Sequence, residues 1–196
     1  MRRLFLILPI SAVLIGGLAA FKLTRQYEPL TSRDYEKPPP APRFLLADEH
    51  SRIVRLERYL GRQKILVVFF DGTNGPDGSP LVSTLKDRYA DLKRTGAAIL
   101  AISASRPAQN RYGANLERRK SATADQAEEL HYPFPLLSDI VEYDVHKRYG
   151  AFDEQANTPR EGIFVIDRTG LIQYSHLGPD QLGTIDDWVR ELRDVR

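Results

Sequence analysis

The strongest constraint in this chain is an apolar run without a break, Ile65-Leu66-Val67-Val68-Phe69-Phe70. It runs into a polar loop, Asp71-Gly72-Thr73-Asn74-Gly75-Pro76-Asp77-Gly78, and then a helix start, Ser79-Pro80. An apolar run that does not alternate suits a central strand covered on both faces. Ser79 has the side chain of an N-cap, and Pro80 falls at the first helical position, where its missing N–H costs nothing. Leu81, Val82, Leu85, Tyr89 and Leu92 form one stripe at helical spacing, and Gly96 ends the helix as a left-handed cap. Ala97 to Ser103 is a second apolar strand. Strand, helix and strand in this order make a right-handed parallel crossover, so the chain is committed to an α/β fold.

The remaining elements fit around that unit. Phe44 to Asp48 and Arg52 to Leu56 read as two short strands joined by a tight connection at Glu49-His50-Ser51. Glu57 to Leu60 reads as one helical turn closed by Gly61. Pro107 to Leu130 is polar and reads as one or two surface helices, with Leu116-Glu117-Arg118-Arg119-Lys120 as a solvated face. Tyr132 to Asp139 is a short extended piece, followed by a helix from Val141 to Tyr149 and a loop from Ala151 to Arg160. Gly162 to Ile166 and Leu171 to His176 form a hairpin around Asp167-Arg168-Thr169-Gly170. The last helix is capped by Thr184, with Asp187 three residues on, and buries Ile185, Trp188, Val189 and Leu192.

The N-terminus has a different character. Arg2-Arg3 precedes eighteen uncharged, mostly apolar residues, Leu4 to Phe21, closed by Lys22. At ~1.5 Å per residue the run reaches ~27 Å, near the lower limit for crossing a bilayer. The two arginines favour retention of the start in the cytoplasm. The expected organisation is a signal anchor over 1–22, a stiff Pro-rich linker over 23–42 and a globular domain over 43–196. A cleaved signal peptide is the alternative, and either reading places the domain on the extracytoplasmic, periplasmic side of the cell membrane.

Composition removes several function classes. The chain of 196 residues has no cysteine, which excludes disulfides, thiolate metal sites and thiol redox chemistry within it. A net charge of +2, with basic residues scattered among acidic ones, gives no support for nucleic-acid binding. The histidines lack metal-ligand spacing, so no metal or other cofactor is expected. A calcium loop over Asp71 to Val82 fails, with Pro76 at its sixth position and Val82 at its twelfth. A phosphatase reading of Asp71-Gly72-Thr73 fails because Phe69 stands where a nucleophilic aspartate is needed. Serine catalysis at Ser79 needs an adjacent base, and none of the four histidines has a motif relation to it.

Four stretches carry a resemblance. Ala41-Pro42-Arg43-Phe44 through Asp48 and Val54-Arg55-Leu56 resembles the opening of the AhpC/TSA redoxins, the peroxiredoxin-like branch of the thioredoxin-like superfamily. Phe134-Pro135-Leu136-Leu137-Ser138-Asp139 with Tyr149-Gly150, and Phe164-Val165-Ile166-Asp167 through Ile172, resemble two later segments of that family. In the fourth, Phe69-Phe70, three residues and Asn74-Gly75-Pro76-Asp77 resemble thioredoxin's aromatic strand end followed by Cys-Gly-Pro-Cys. The resemblance implies a thioredoxin-like fold, a central mixed sheet flanked by helices, with reactive thiols at the loop. Here Asn74 and Asp77 stand where those cysteines would be, and no register of Asp71 to Pro80, Gly78 included, supplies a peroxidatic cysteine.

The expected function is therefore a cysteine-less, membrane-anchored redoxin that binds or scaffolds an envelope protein partner. The alternative is a redoxin-type oxidoreductase that uses a partner's thiols or another cofactor. The site carries over as a degenerate one, with Asn74, Asp77 and Gly78 at the redox positions. Thr73, Asn74, Asp77, Ser79 and Arg160 are the candidate binding residues, and Arg160 is the candidate anion ligand beside the helix start.

Overall fold

A computed structural model describes residues 37–114, 129–179 and 182–195. The N-terminal apolar run, most of the linker and the Leu116 to Lys120 segment lie outside these residues. Among the described residues no helix is long and apolar enough to cross a membrane.

The sheet is built on β3 (Ile65–Phe69), every residue of which is buried. It pairs in parallel with β4 (Ala98–Ser103) and antiparallel with β8 (Gly162–Ile166). Outward from β4 come β5 (Leu136–Ser138), β1 (Leu45–Ala47) and β2 (Ile53–Arg55), and outward from β8 comes β9 (Ile172–Leu177). The spatial order is β2-β1-β5-β4-β3-β8-β9, a mixed seven-stranded sheet. The crossover between β3 and β4 is the one the apolar runs demand.

Because strand side chains alternate faces, β3 feeds two cores. Leu66, Val68 and Phe70 pack with Val82, Leu85, Leu92, Trp188 and Leu192. Ile65, Val67 and Phe69 pack with Phe44, Leu56, Val145, Tyr149 and Phe164. The first core is covered by α1 (Pro80–Asp87), α2 (Tyr89–Lys93) and α5 (Ile185–Asp194). α4 (Asp144–Arg148) belongs to the second, and α3 (Pro107–Tyr112) follows β4. Thr184 and Asp187 form a reciprocal capping box at the start of α5. The hydrogen bonds to Thr184 are the leading reason that the Asp187 carboxyl falls to about 2.

The expected helix from Ser79 to Gly96 is two helices. The backbone leaves helical geometry at Arg88 (φ −102°, ψ 14°). The Arg88 guanidinium binds Asp91 at 2.5 Å and Asp186 of α5 at 2.7 Å. The break leaves Tyr89 against Phe134, with ring centroids 6.0 Å apart, while Leu92 stays fully buried. The helix expected from Val141 begins at Asp144, because Glu142 and Tyr143 both hold φ +55°, outside helical space. The loop from Ala151 to Arg160 carries a small hairpin of β6 (Phe152–Asp153) and β7 (Thr158–Pro159).

Candidate functional site

The loop after β3 is ordered by its own sequence. The Asp71 carboxylate accepts the Thr73 N–H at 2.9 Å, which turns the chain immediately after the strand. The Gly75 N–H donates to the Gly72 carbonyl at 2.9 Å, and Pro76–Gly78 form a 3-10 turn. Ser79 caps α1 as expected, its Oγ accepting the Val82 N–H at 3.4 Å. Its hydroxyl is buried in that role, and no histidine lines the cleft beside it.

Two clefts flank this loop, sharing Asp71 and Pro159. One, of ≈370 Å³, takes Asn74, Gly78, Ser79, Arg160 and Glu161. The other, of ≈490 Å³, takes Thr73, Ser105, Arg106, Gln109 and Tyr143. The candidate residues are therefore divided. Asn74, Ser79 and Arg160 come together, Thr73 faces the neighbouring cleft, and Asp77 lines neither. Asp77 lies instead over two glycines, its Oδ1 only 2.8 Å from where a Gly75 Cβ would stand and 2.7 Å from a Gly113 Cβ.

The electrostatics of the first cleft are mixed. Arg160 is committed to Asp153, with 3.2 Å between guanidinium and carboxylate. The Asp153 carboxyl lies below its ordinary range, chiefly through the Ala156 backbone N–H, with the Arg160 charge contributing less. Facing Arg160 in the cleft are two carboxylates, Asp71 and Glu161. Burial pushes Glu161 above the usual range, a hydrogen bond from the Asp71 backbone draws it back, and the Asp71 charge pushes it up again. One paired guanidinium against two carboxylates is not the anion-favouring environment expected from Arg160 alone.

Several residues here had no signal in the sequence. Gln109 donates to the Gly72 and Thr73 carbonyls at 2.9 and 3.0 Å, and the Ser105 hydroxyl donates to Gly72 at 2.7 Å. These bonds fix the loop to the segment that follows β4. Behind them the fully buried Asn110 bonds Ser103 and Ser138, both at 3.0 Å. Deeper still, His146 Nδ1 meets Asp139 at 2.7 Å, and the ring stands edge-on to Phe69 with centroids 4.8 Å apart. This is a histidine–carboxylate pair with no serine on it. Among the described residues His146 Nε2 has no hydrogen-bond partner, and no three His, Asp or Glu side chains converge as a metal site. Chemically, the loop offers hydrogen-bonding groups and charges of both signs, but no nucleophile beside a base.

The comparisons with known proteins agree with this geometry. The profile of the AhpC/TSA family matches residues 39–175. Alkyl hydroperoxide reductase E of Mycobacterium tuberculosis is 30% identical over 138 residues, covering 70% of this chain and 82% of that protein. Rice chloroplastic peroxiredoxin Q is 29% identical over 135 residues, covering 68% of this chain and 55% of that protein. The crystal structure of peroxidoxin BcpB from Mycobacterium tuberculosis superposes with a TM-score of 0.62 at 18% identity, covering 81% of this chain and 97% of that one. That of a reduced 2-Cys peroxiredoxin from Plasmodium vivax gives a TM-score of 0.61 at 17% identity, covering 81% and 80% of the two chains. Both structural likenesses speak for the fold. With its sheet order, its strand-loop-helix junction and a profile match over most of the globular part, the chain belongs to the AhpC/TSA family, as a peroxiredoxin-like redoxin without a cysteine.

Proposed function

We propose that this protein is a non-catalytic member of its family, tethered to the cell membrane by its N-terminal segment. Its domain faces the extracytoplasmic side, where it binds or scaffolds another envelope protein. The observation that carries this reading is the absence of any cysteine from a chain that keeps the family's scaffold. Thiol chemistry needs a thiolate, and neither the Asn74 amide nor the Asp77 carboxylate supplies a redox-active sulfur. The cleft beside Asn74 is a place for polar contact rather than for turnover. The membrane part of the reading is supported by Arg2-Arg3 ahead of the apolar run and by the Pro-rich spacer behind it.

The test is reduction of hydrogen peroxide or an alkyl hydroperoxide by the purified full chain, with a thioredoxin or glutathione donor. The expected rate equals the donor-only blank. Turnover above blank would overturn the reading in favour of an oxidoreductase that works with a partner's thiols.

A further inference from the structure

The loop after β3 places a side-chain carbonyl one residue before a glycine three times, at Asp71-Gly72, Asn74-Gly75 and Asp77-Gly78. In such a pair the glycine nitrogen can close a five-membered ring on the preceding side chain, because glycine has no Cβ to obstruct the approach. An amide accepts this attack more readily than a carboxylate, whose charge opposes it. The structure separates the three pairs. The Asp71 carboxylate is held by the Thr73 N–H at 2.9 Å, and Asp77 lies over Gly75 and Gly113. Asn74 is exposed at the cleft, and among the described residues its amide makes no hydrogen bond. The other described asparagines lack the arrangement, since Asn110 is fully buried before Arg111 and Asn157 precedes Thr158.

The attacking atom is already engaged. The Gly75 N–H closes a turn onto the Gly72 carbonyl at 2.9 Å, with Thr73 and Asn74 as the central residues. To react, the Gly75 nitrogen has to give up that proton and swing toward Asn74 Cγ, so the turn has to open first. α3 opposes the opening. Gln109 donates to the Gly72 and Thr73 carbonyls at 2.9 and 3.0 Å, which pins both carbonyls on the near side of the turn. Gly75 itself is buried, with the Gly113 backbone beside it. The reactive pair is therefore exposed at its electrophile and clamped at its nucleophile.

We propose that Asn74 is a site of self-modification, converted to isoaspartate and aspartate through a ring formed with Gly75, at a rate set by the hold of Gln109 on the turn. The Gly75 amide proton passes to solvent base and the bond from Gly75 nitrogen to Asn74 Cγ forms. The Cγ–Nδ2 bond breaks and ammonia leaves, giving a succinimide. Water then opens the ring. Cleavage at Cγ yields aspartate, and cleavage at the main-chain carbonyl yields isoaspartate. No oxidant or reductant enters. Either product adds a carboxylate to the cleft that already holds Asp71 and Glu161. Isoaspartate also lengthens the main chain where Asn74 packs over Gly78, whose Cβ position lies 2.6 Å from the Asn74 Cβ. The proposal is independent of whether the protein binds a partner, turns over peroxide or is anchored.

The test is peptide mapping by mass spectrometry of the full chain, aged at mildly alkaline pH both folded and in urea. The tryptic peptide Ile65–Lys86 contains Asn74, no other asparagine and no glutamine, so a change of mass from amide to acid within it belongs to Asn74. A digest at time zero sets the baseline, and fragmentation separates isoaspartate from aspartate. The folded wild type is expected to convert about tenfold or more slowly than the unfolded chain, because the turn opens only transiently. Gln109→Ala, and Gln109→Glu, which keeps the length and loses the donor, should each speed the folded rate about fivefold while leaving the rate in urea unchanged. Asn74→Gln should abolish the change. Circular dichroism checks that each variant is folded. A folded wild type that stays wholly unconverted while the unfolded chain reacts to completion would overturn the proposal. Equal rates in the folded and unfolded chains, or Gln109 variants that react no faster than wild type, would overturn it equally, since the clamp would then have no hold on the reaction.

Discussion

Glu161 shows how a single side chain reports on the cleft. Burial leads in raising its folded-state pKa above its ordinary value of 4.5, so folding disfavours the charged form. The stability linked to this group is fully present below the unfolded value, where the carboxyl is protonated in both states. It is lost as pH rises through the folded value. Glu161→Gln keeps an oxygen that can accept the Asp71 N–H and removes the charge. The variant is therefore expected to be more stable than wild type at about pH 7, with the difference closing by about pH 4. Urea midpoints at the two pH values test this, and equal midpoints at neutral pH would show that the carboxylate is not opposed by its surroundings. Residues of this kind were not legible in the sequence. Asn74 and Ser79 were, because their places depend on a strand end and a helix start that are local. Gln109 reaches the same loop across 37 residues of chain, and nothing in its neighbourhood announces that contact.

At the scale of elements, the loop between β3 and α1 is held by a contact between two backbones. Gly75 sits at φ 76° and ψ 172°, a conformation that is almost confined to glycine. Gly113, at the end of α3, has φ 70° and ψ −171° and lies against it. A Cβ on Gly75 would stand 2.7 Å from the Ala114 nitrogen and 2.8 Å from the Gly113 Cα. Both are backbone atoms and cannot swing aside. Gly75→Ala is expected to cost about 3 kcal/mol, from the forced dihedrals and the displaced helix end together. Gly96→Ala is the matched control. It has a similar φ of +78° but meets nothing within 4 Å, so its cost should be about 1 kcal/mol. Denaturant unfolding of the two variants measures the difference. Similar costs would mean that the contact between the loop and α3 contributes nothing. The sequence placed the strands and caps here, because apolar runs and N-cap chemistry are local signals. It did not place the break at Arg88, which keeps the helical stripe in register and answers to Asp186, 98 residues away. Nor did it place the late start of α4, which is set by two residues whose types are compatible with a helix.

At the scale of the whole molecule, the question is whether the scaffold still activates a sulfur once one is supplied. In this family the fold was legible from four ordered motifs, while the state of the site was legible only as an absence. Asn74→Cys separates the two. The new thiol would line the cleft shared by Asp71, Arg160 and Glu161. A thiolate is favoured by a nearby free cation and disfavoured by nearby carboxylates and burial. Here the guanidinium is already paired with Asp153 at 3.2 Å, and the carboxylates outnumber it. The sign is therefore unfavourable, and the thiol should titrate above the ordinary cysteine value of about 8.5. Iodoacetamide labelling of Asn74→Cys is expected to accelerate only at alkaline pH, and its peroxide consumption should not exceed that of a small free thiol at equal concentration. Because the wild type has no cysteine, every labelled or oxidised sulfur reports on this one position. Rapid labelling at about pH 6, or peroxide turnover well above the free-thiol level, would show the opposite. It would mean that the junction of β3 and α1 still stabilises a thiolate, and that a single missing atom type is all that separates this chain from its catalytic relatives.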